Sequence, residues 1–175
     1  MNRLTGKLVT VAAGFALALA PVQAHAAPSF PDGCKSTTGT SSSGNWSVTV
    51  TACLGKKDAY NHNSGSYRDH PATWVKVDCQ HYSGGFWSTR RCQVEGSAHL
   101  DKDGQQLQSG SIGFTTSPFG TGETSIWRLY ECRGHGTYSY TAEGLSATEL
   151  ISTDLGVVTG ETASVPAVTV TATGC

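Results

Sequence analysis

Residues 46–54 read WSVTVTACL, and the order of their side chains decides the fold. Trp46, Val48, Val50, Ala52 and Leu54 take every second position, with Ser47, Thr49, Thr51 and Cys53 between them. A period of two belongs to an extended chain whose successive side chains point to opposite faces, so the stretch predicts a half-buried β-strand. The alternation recurs at Val75, Val77 and Cys79 against Trp74, Lys76 and Asp78. It recurs again at Val168 and Val170 against Thr169 and Thr171, within a closing strand over 165–172. Residues 90–100 predict a further strand. Asp101-Lys102-Asp103-Gly104 then reads as a turn whose glycine can take positive φ, with 105–114 returning antiparallel. Segments 126–132 and 137–142 form another pair around Arg133-Gly134-His135-Gly136. Only 142–150 has any helical colour, and Gly144 with the Ser/Thr content weakens it.

Short strands, regular turn signals and one apolar face per strand predict an all-β fold, an antiparallel β-sandwich that is immunoglobulin-like in general architecture. Ser/Thr-rich outer positions agree, because antiparallel sheets can leave one face wet. No internal repeat of fixed period is present, which argues against a propeller or a solenoid.

The chain divides into three parts. Arg3 and Lys7 precede an apolar run over 8–20, followed by Pro21 and then Ala24-His25-Ala26, the layout of a secretory signal peptide over 1–26. The apolar run is shorter than the roughly 20 residues a spanning helix needs, so a secreted, extracellular protein without membrane insertion is expected. Residues 27–45, APSFPDGCKSTTGTSSSGN, carry two prolines and three glycines and too little apolar surface to fold alone. They are expected to be a flexible segment, with order beginning at Trp46 and a single domain over 46–175. Export fixes the reading of Cys34, Cys53, Cys79, Cys92, Cys132 and Cys175: an even number in an oxidising compartment implies three disulfides that brace the sandwich. Fifteen connectivities are open. Loop entropy favours Cys79 with Cys92 and leaves the other pairings undecided, while a bridge from Cys175 would clamp the C-terminus.

Charge and motifs narrow the chemistry. Losing Arg3 and Lys7 with the leader leaves ten basic against 13 acidic side chains, a formal charge of −3, which argues against nucleic-acid binding through bulk charge. No G-x-S-x-G elbow marks a nucleophilic serine. His62, His70, His81, His99 and His135 are scattered without metal-ligand spacing and read as polar loop residues. Cys pairs with C-x-x-C spacing are absent, and residues 101–104 lack the further ligands of a calcium loop. No metal and no cofactor are therefore expected. Asn45-Trp46-Ser47 fits a glycosylation sequon, which means little beside a bacterial-looking leader.

Contact chemistry is better represented. Residues 60–70, YNHNSGSYRDH, form a polar loop with almost nothing aliphatic. Residues 81–91, HYSGGFWSTRR, set Phe86 and Trp87 beside a Gly-Gly turn, with Arg90 and Arg91 following. Aromatics and arginine dominate interface energetics, so these four are candidate partner contacts. The competing reading packs Trp87 into the sheet and leaves the arginines solvated. Phe30, Pro31 and Lys35 flank Cys34 in the N-terminal segment, where an anchored extended stretch could dock in a partner's cleft.

The whole layout resembles small secreted β-sandwich proteins of actinobacteria, among them the linker subunit of umbrella toxin particles. The features that carry the likeness are the Ala-rich leader, the segment 27–45, the strand WSVTVTACL and the later half-cystines Cys79, Cys92, Cys132 and Cys175. The resemblance implies a non-enzymatic subunit that joins a lectin-bearing protein to a long toxin polypeptide. It also implies an extended N-terminal segment, 30–35 by position, lying in the cleft of a trypsin-like partner domain. The expectation is thus a secreted protein-binding module, an adaptor in an extracellular, antibacterial toxin complex. The alternatives are an inhibitor of trypsin-like proteases presenting Lys35, and a hydrolase of cell-wall or polysaccharide substrates.

Overall fold

The computed structural model describes residues 33–61, 66–125 and 136–174, with side chains described throughout except at 56–61 and 66–70. The expectations for the leader, for Phe30 and Pro31, for His62 and His135, for the strand over 126–132, and for Cys132 and Cys175 lie outside these residues.

Period-two patterning becomes ten strands: β1 (Gly33–Thr40), β2 (Trp46–Asn61), β3 (Ser66–Ser83), β4 (Phe86–Thr89), β5 (Cys92–Lys102), β6 (Gln105–Thr115), β7 (Thr121–Ser125), β8 (Thr137–Thr153), β9 (Gly156–Val165) and β10 (Val168–Thr173). They form two antiparallel sheets packed face to face, a disulfide-braced β-sandwich. One sheet runs β1-β2-β3, and β4 and β7 share the far edge of β3. The other runs β6-β5-β8, and β10 and β9 share the far edge of β8. Trp46, Val48, Val50, Ala52 and Leu54 all face the core, as their spacing requires. Outer positions carry hydroxyl pairs across strands, Ser36 with Thr51 and Thr38 with Thr49 on one sheet, Thr141 with Thr169 and Thr148 with Thr162 on the other.

Several expectations need correction. Strand structure begins at Gly33, ahead of Trp46: β1 pairs with β2 along its whole length, and Cys34 is bridged to Cys53 directly opposite it. The Ser/Thr/Gly stretch cannot fold by itself, but a finished neighbouring strand supplies its hydrogen bonds. Residues 60–70 are largely not a loop, since Tyr60 pairs with Tyr67 and Asn61 with Ser66 in the β2–β3 hairpin. The closing strand is broken at Pro166, which has no N–H to give a ladder, so Val165 ends β9 and β10 starts at Val168. Segment 142–150 is strand. The Cys79–Cys92 bridge is present, and it joins β3 to β5 across the two sheets. Among the described residues no cysteine is free and no helix is long and apolar enough to cross a membrane.

One irregularity in β8 reorders its faces. Ser97 pairs with Glu143 and Glu95 with Ser146, so Gly96 opposes both Gly144 and Leu145, and Gly144 sits at φ +59°. This extra residue is a β-bulge with glycine in the left-handed region. Before it Tyr138, Tyr140 and Ala142 point inward; after it Leu145, Ala147 and Glu149 do. The bulge therefore turns Glu149 into the protein and leaves Leu150 half-buried.

Two outcomes test this account. Gly144→Val is expected to cost about 1–2 kcal/mol, the left-handed penalty of an L-residue, because a Cβ there meets open space and nothing else opposes it; Gly144→Asn should cost less. Urea unfolding of both variants measures the difference. Replacing Cys79 and Cys92 together with alanine opens a loop of sequence separation 13 and is expected to lower stability by about 3 kcal/mol, read from the same denaturation curves.

Candidate functional site

One end of the sandwich gathers the polar and the exposed apolar side chains. The β1–β2 turn begins there: Gly44 N–H donates to Ser41 O at 3.0 Å, and Ser41 N–H to Trp46 O at 2.9 Å. Trp46 is fully buried, and its indole N–H crosses the core to donate to Ala147 O at 3.0 Å. In register beside Trp46 stands His81, with ring centroids 6.4 Å apart. Its Nδ1 lies 3.0 Å from Glu149 Oε1, a contact between charged groups when the imidazole is protonated, without the alignment of a hydrogen bond.

Glu149 is only 3% exposed, and an ionised carboxylate taken out of water needs a partner. His81 is that partner. The β8–β9 pairing makes room for it: Thr148 pairs with Thr162 but Leu150 with Thr159, so Glu149 faces both Gly160 and Glu161. Any side chain at Gly160 would collide with Glu149 Oε2. Glu161, next along, accepts hydrogen bonds from the Ser41 and Ser43 hydroxyls. The Ser41 hydroxyl first, then that of Ser43, hold its carboxyl below the ordinary value of 4.5, and the neighbouring His81 acts in the same direction. Both serine hydroxyls are thus donors to a carboxylate, and neither is set against the imidazole as a nucleophile–base pair requires.

Above this polar floor lies a groove of about 500 Å³, lined by His81, Ser83, Arg90, Arg91, Pro118 and Leu150 among others. Arg90 and Arg91 make the two-residue crossing from β4 in one sheet to β5 in the other. Their backbone is pinned on both sides: Arg90 N–H donates to Cys79 O at 3.0 Å, and Leu150 N–H donates to Arg91 O at 2.8 Å. The Cys79–Cys92 bridge closes the same crossing.

Two hairpin tips and one turn surround the groove. Gly84 and Gly85, at φ +63° and +91°, turn β3 into β4 and present Tyr82, Phe86 and Trp87. Phe86 is 63% exposed, and Trp87, 45% exposed, leans on Tyr82 with centroids 5.3 Å apart. Opposite, β8 and β9 carry Ile151, Leu155, Val157 and Val158, with Leu155 fully exposed at the tip. Phe119 follows Pro118 on the connection between β6 and β7 and is 76% exposed. Among the described residues every exposed large hydrophobic side chain belongs to these three segments.

Of the residues expected to contact a partner, Phe86, Trp87, Arg90 and Arg91 are thus together at this end, and Trp87 is not core. Lys35 is exposed but stands apart, about 17 Å along β1 from Thr40 at roughly 3.3 Å per residue. The β8–β9 tip was legible only as Thr153-Asp154-Leu155-Gly156 between two β-branched runs, a hairpin signal that the sequence reading leaves unassigned. Of the two histidines whose side chains are described, His81 belongs to this site, and His99 lies elsewhere, 3.4 Å from both Asp101 and Glu143. No group of three or more His, Cys, Asp or Glu among the described residues is arranged to hold a metal ion. No protein-family model, curated protein or solved structure matches the chain.

Acid tests the Glu161 network. A carboxyl held below its ordinary value stabilises the fold fully above 4.5, and that contribution is lost as pH falls through the lowered value. Glu161→Gln is expected to flatten this part of the acid limb, as followed by melting temperature against pH; an unchanged limb would assign it to other groups.

Proposed function

We propose that this chain is a secreted, non-enzymatic protein-binding module, a structural or adaptor subunit of an extracellular complex. One observation carries the reading: among the described residues, the exposed large apolar side chains are concentrated in the three segments that border one arginine-lined groove at an end of the sandwich. Soluble monomers seldom leave such groups together on the surface unless they meet another molecule there. Tryptophan, tyrosine and arginine, the residue types most enriched at energetic hot spots, are all present. The signal-like leader and two disulfides support export to an oxidising compartment. The resemblance to linker subunits of umbrella toxin particles supports the assembly in question being an antibacterial toxin complex.

A second reading rests on Lys35. It is exposed beside Cys34, whose bridge to Cys53 braces an edge strand, and an inhibitor of trypsin-like proteases presenting Lys35 fits that arrangement. Titration of trypsin with the purified protein separates the two readings: stoichiometric inhibition abolished by Lys35→Ala supports the inhibitor.

For the adaptor, Trp87→Ala is expected to lower the affinity for the co-secreted partner at least tenfold, about 1.4 kcal/mol, while moving the melting temperature little. Partner complexes purified from culture supernatant, and thermal unfolding of the isolated variant, measure the two effects. A collapsed melting temperature with normal binding by the remaining folded protein overturns the reading.

A further inference from the structure

Arg90 and Arg91 carry two guanidiniums to the mouth of the groove, and nothing in the described structure pairs them. Ion pairs among the described residues include Lys76 with Glu123, His81 with Glu149, and His99 with Asp101 and Glu143, and none of these takes up Arg90 or Arg91. Glu149, the acid in the groove's lining, is committed to His81, and Glu161 to the hydroxyls of Ser41 and Ser43. Both arginines are exposed.

Their setting is built rather than loose. The backbone of the pair is held by Cys79 O on one side and Leu150 N–H on the other, next to the bridged Cys92. The fixed backbone holds the two side chains at neighbouring positions, and a guanidinium matches a carboxylate through two parallel hydrogen bonds. Ile151 lines the groove, and the exposed Phe86, Trp87 and Leu155 sit on the two hairpins that supply its lining residues Ser83 and Ser152. A volume of about 500 Å³ suits a short segment with a few side chains rather than a flat surface.

We propose that the groove recognises an acidic segment of a partner protein, its carboxylates on Arg90 and Arg91 and an adjoining apolar side chain against Trp87 or Leu155. The proposal rests on the docking reading given above and names the chemistry of the partner. The same chemistry is exposed on this chain at Asp154-Leu155 on the β8–β9 tip, so a second copy of the chain is the rival occupant.

Random linear peptides displayed on phage, selected against the intact disulfide-bonded protein, are the probe. Selected peptides are expected to carry Asp or Glu beside Trp, Phe or Leu. Their synthetic counterparts should bind at least tenfold more weakly to R90E/R91E, and equally so when their acids are replaced by the corresponding amides. Near-UV circular dichroism verifies that the variant keeps the fold. Apolar peptides without acids, lost on Trp87→Ala yet indifferent to R90E/R91E, overturn the acidic assignment and leave the docking surface standing. Selection of nothing, or of peptides indifferent to both variants, overturns the assignment as well; failure of the docking surface itself is read independently, from Trp87→Ala and the co-secreted partner. A wild-type dimer in sedimentation, dispersed by Asp154→Asn, overturns it in favour of the second copy.

Discussion

Strand β8 is the spine of its sheet, bonded to β5 on one edge and to β10 and β9 in turn on the other. Which of its side chains face inward is set by the bulge at Gly144. With uninterrupted alternation the phase of Tyr138, Tyr140 and Ala142 would bury Thr148 and Leu150 and put Glu149 in water. With the bulge, Leu145 and Ala147 complete the core and Glu149 turns in behind them. One residue in a left-handed conformation thus decides both the packing of the second half of the sheet and the presence of a buried acid. The His81–Glu149 contact and the room left by Gly160 depend on that turn of phase.

Around the buried acid the two sheets are tied more densely than area burial alone requires. Trp46 donates across the core to Ala147, Leu150 bonds to the β4–β5 crossing, and Cys79 is bridged to Cys92. These links share one physical effect: they fix the bases of the two apolar hairpins relative to each other. Side chains on tips held this way meet a partner with little reorganisation, which is where a small module gains affinity without area. Tyr140 shows how dry the core is, burial pushing its phenol up to about 12.

The sandwich was legible wherever a strand is apolar on one side only. WSVTVTACL declares itself because every second residue is buried, and the Cys79–Cys92 bridge because its loop is short. Phe86, Trp87, Arg90 and Arg91 stood out by residue type next to Gly84-Gly85, although residue type alone left Trp87 open to packing into the sheet. What the sequence concealed depends on partners far away in the chain. Segment 33–40 looks incapable of structure alone, and its strand exists because β2 offers a full ladder and Cys34 a covalent tie. Glu149 looks like a surface acid because nothing local shows that a bulge five residues earlier has reversed the faces. Val157 and Val158 are β-branched and apolar, yet both are exposed on the β8–β9 hairpin.

The contrast between the faces and the end of the sandwich carries the last step. Both outer faces are laid with hydroxyls that satisfy one another, Ser36 with Thr51, Thr38 with Thr49, Thr141 with Thr169, Thr148 with Thr162. At these positions the hydroxyls are already paired and offer a partner little apolar area. Burying one large apolar side chain is worth roughly 1.5–3 kcal/mol, and among the described residues the large side chains still able to contribute that sum stand at the groove end. Association driven by these groups is therefore end-on, with the long axis of the sandwich pointing away from the partner.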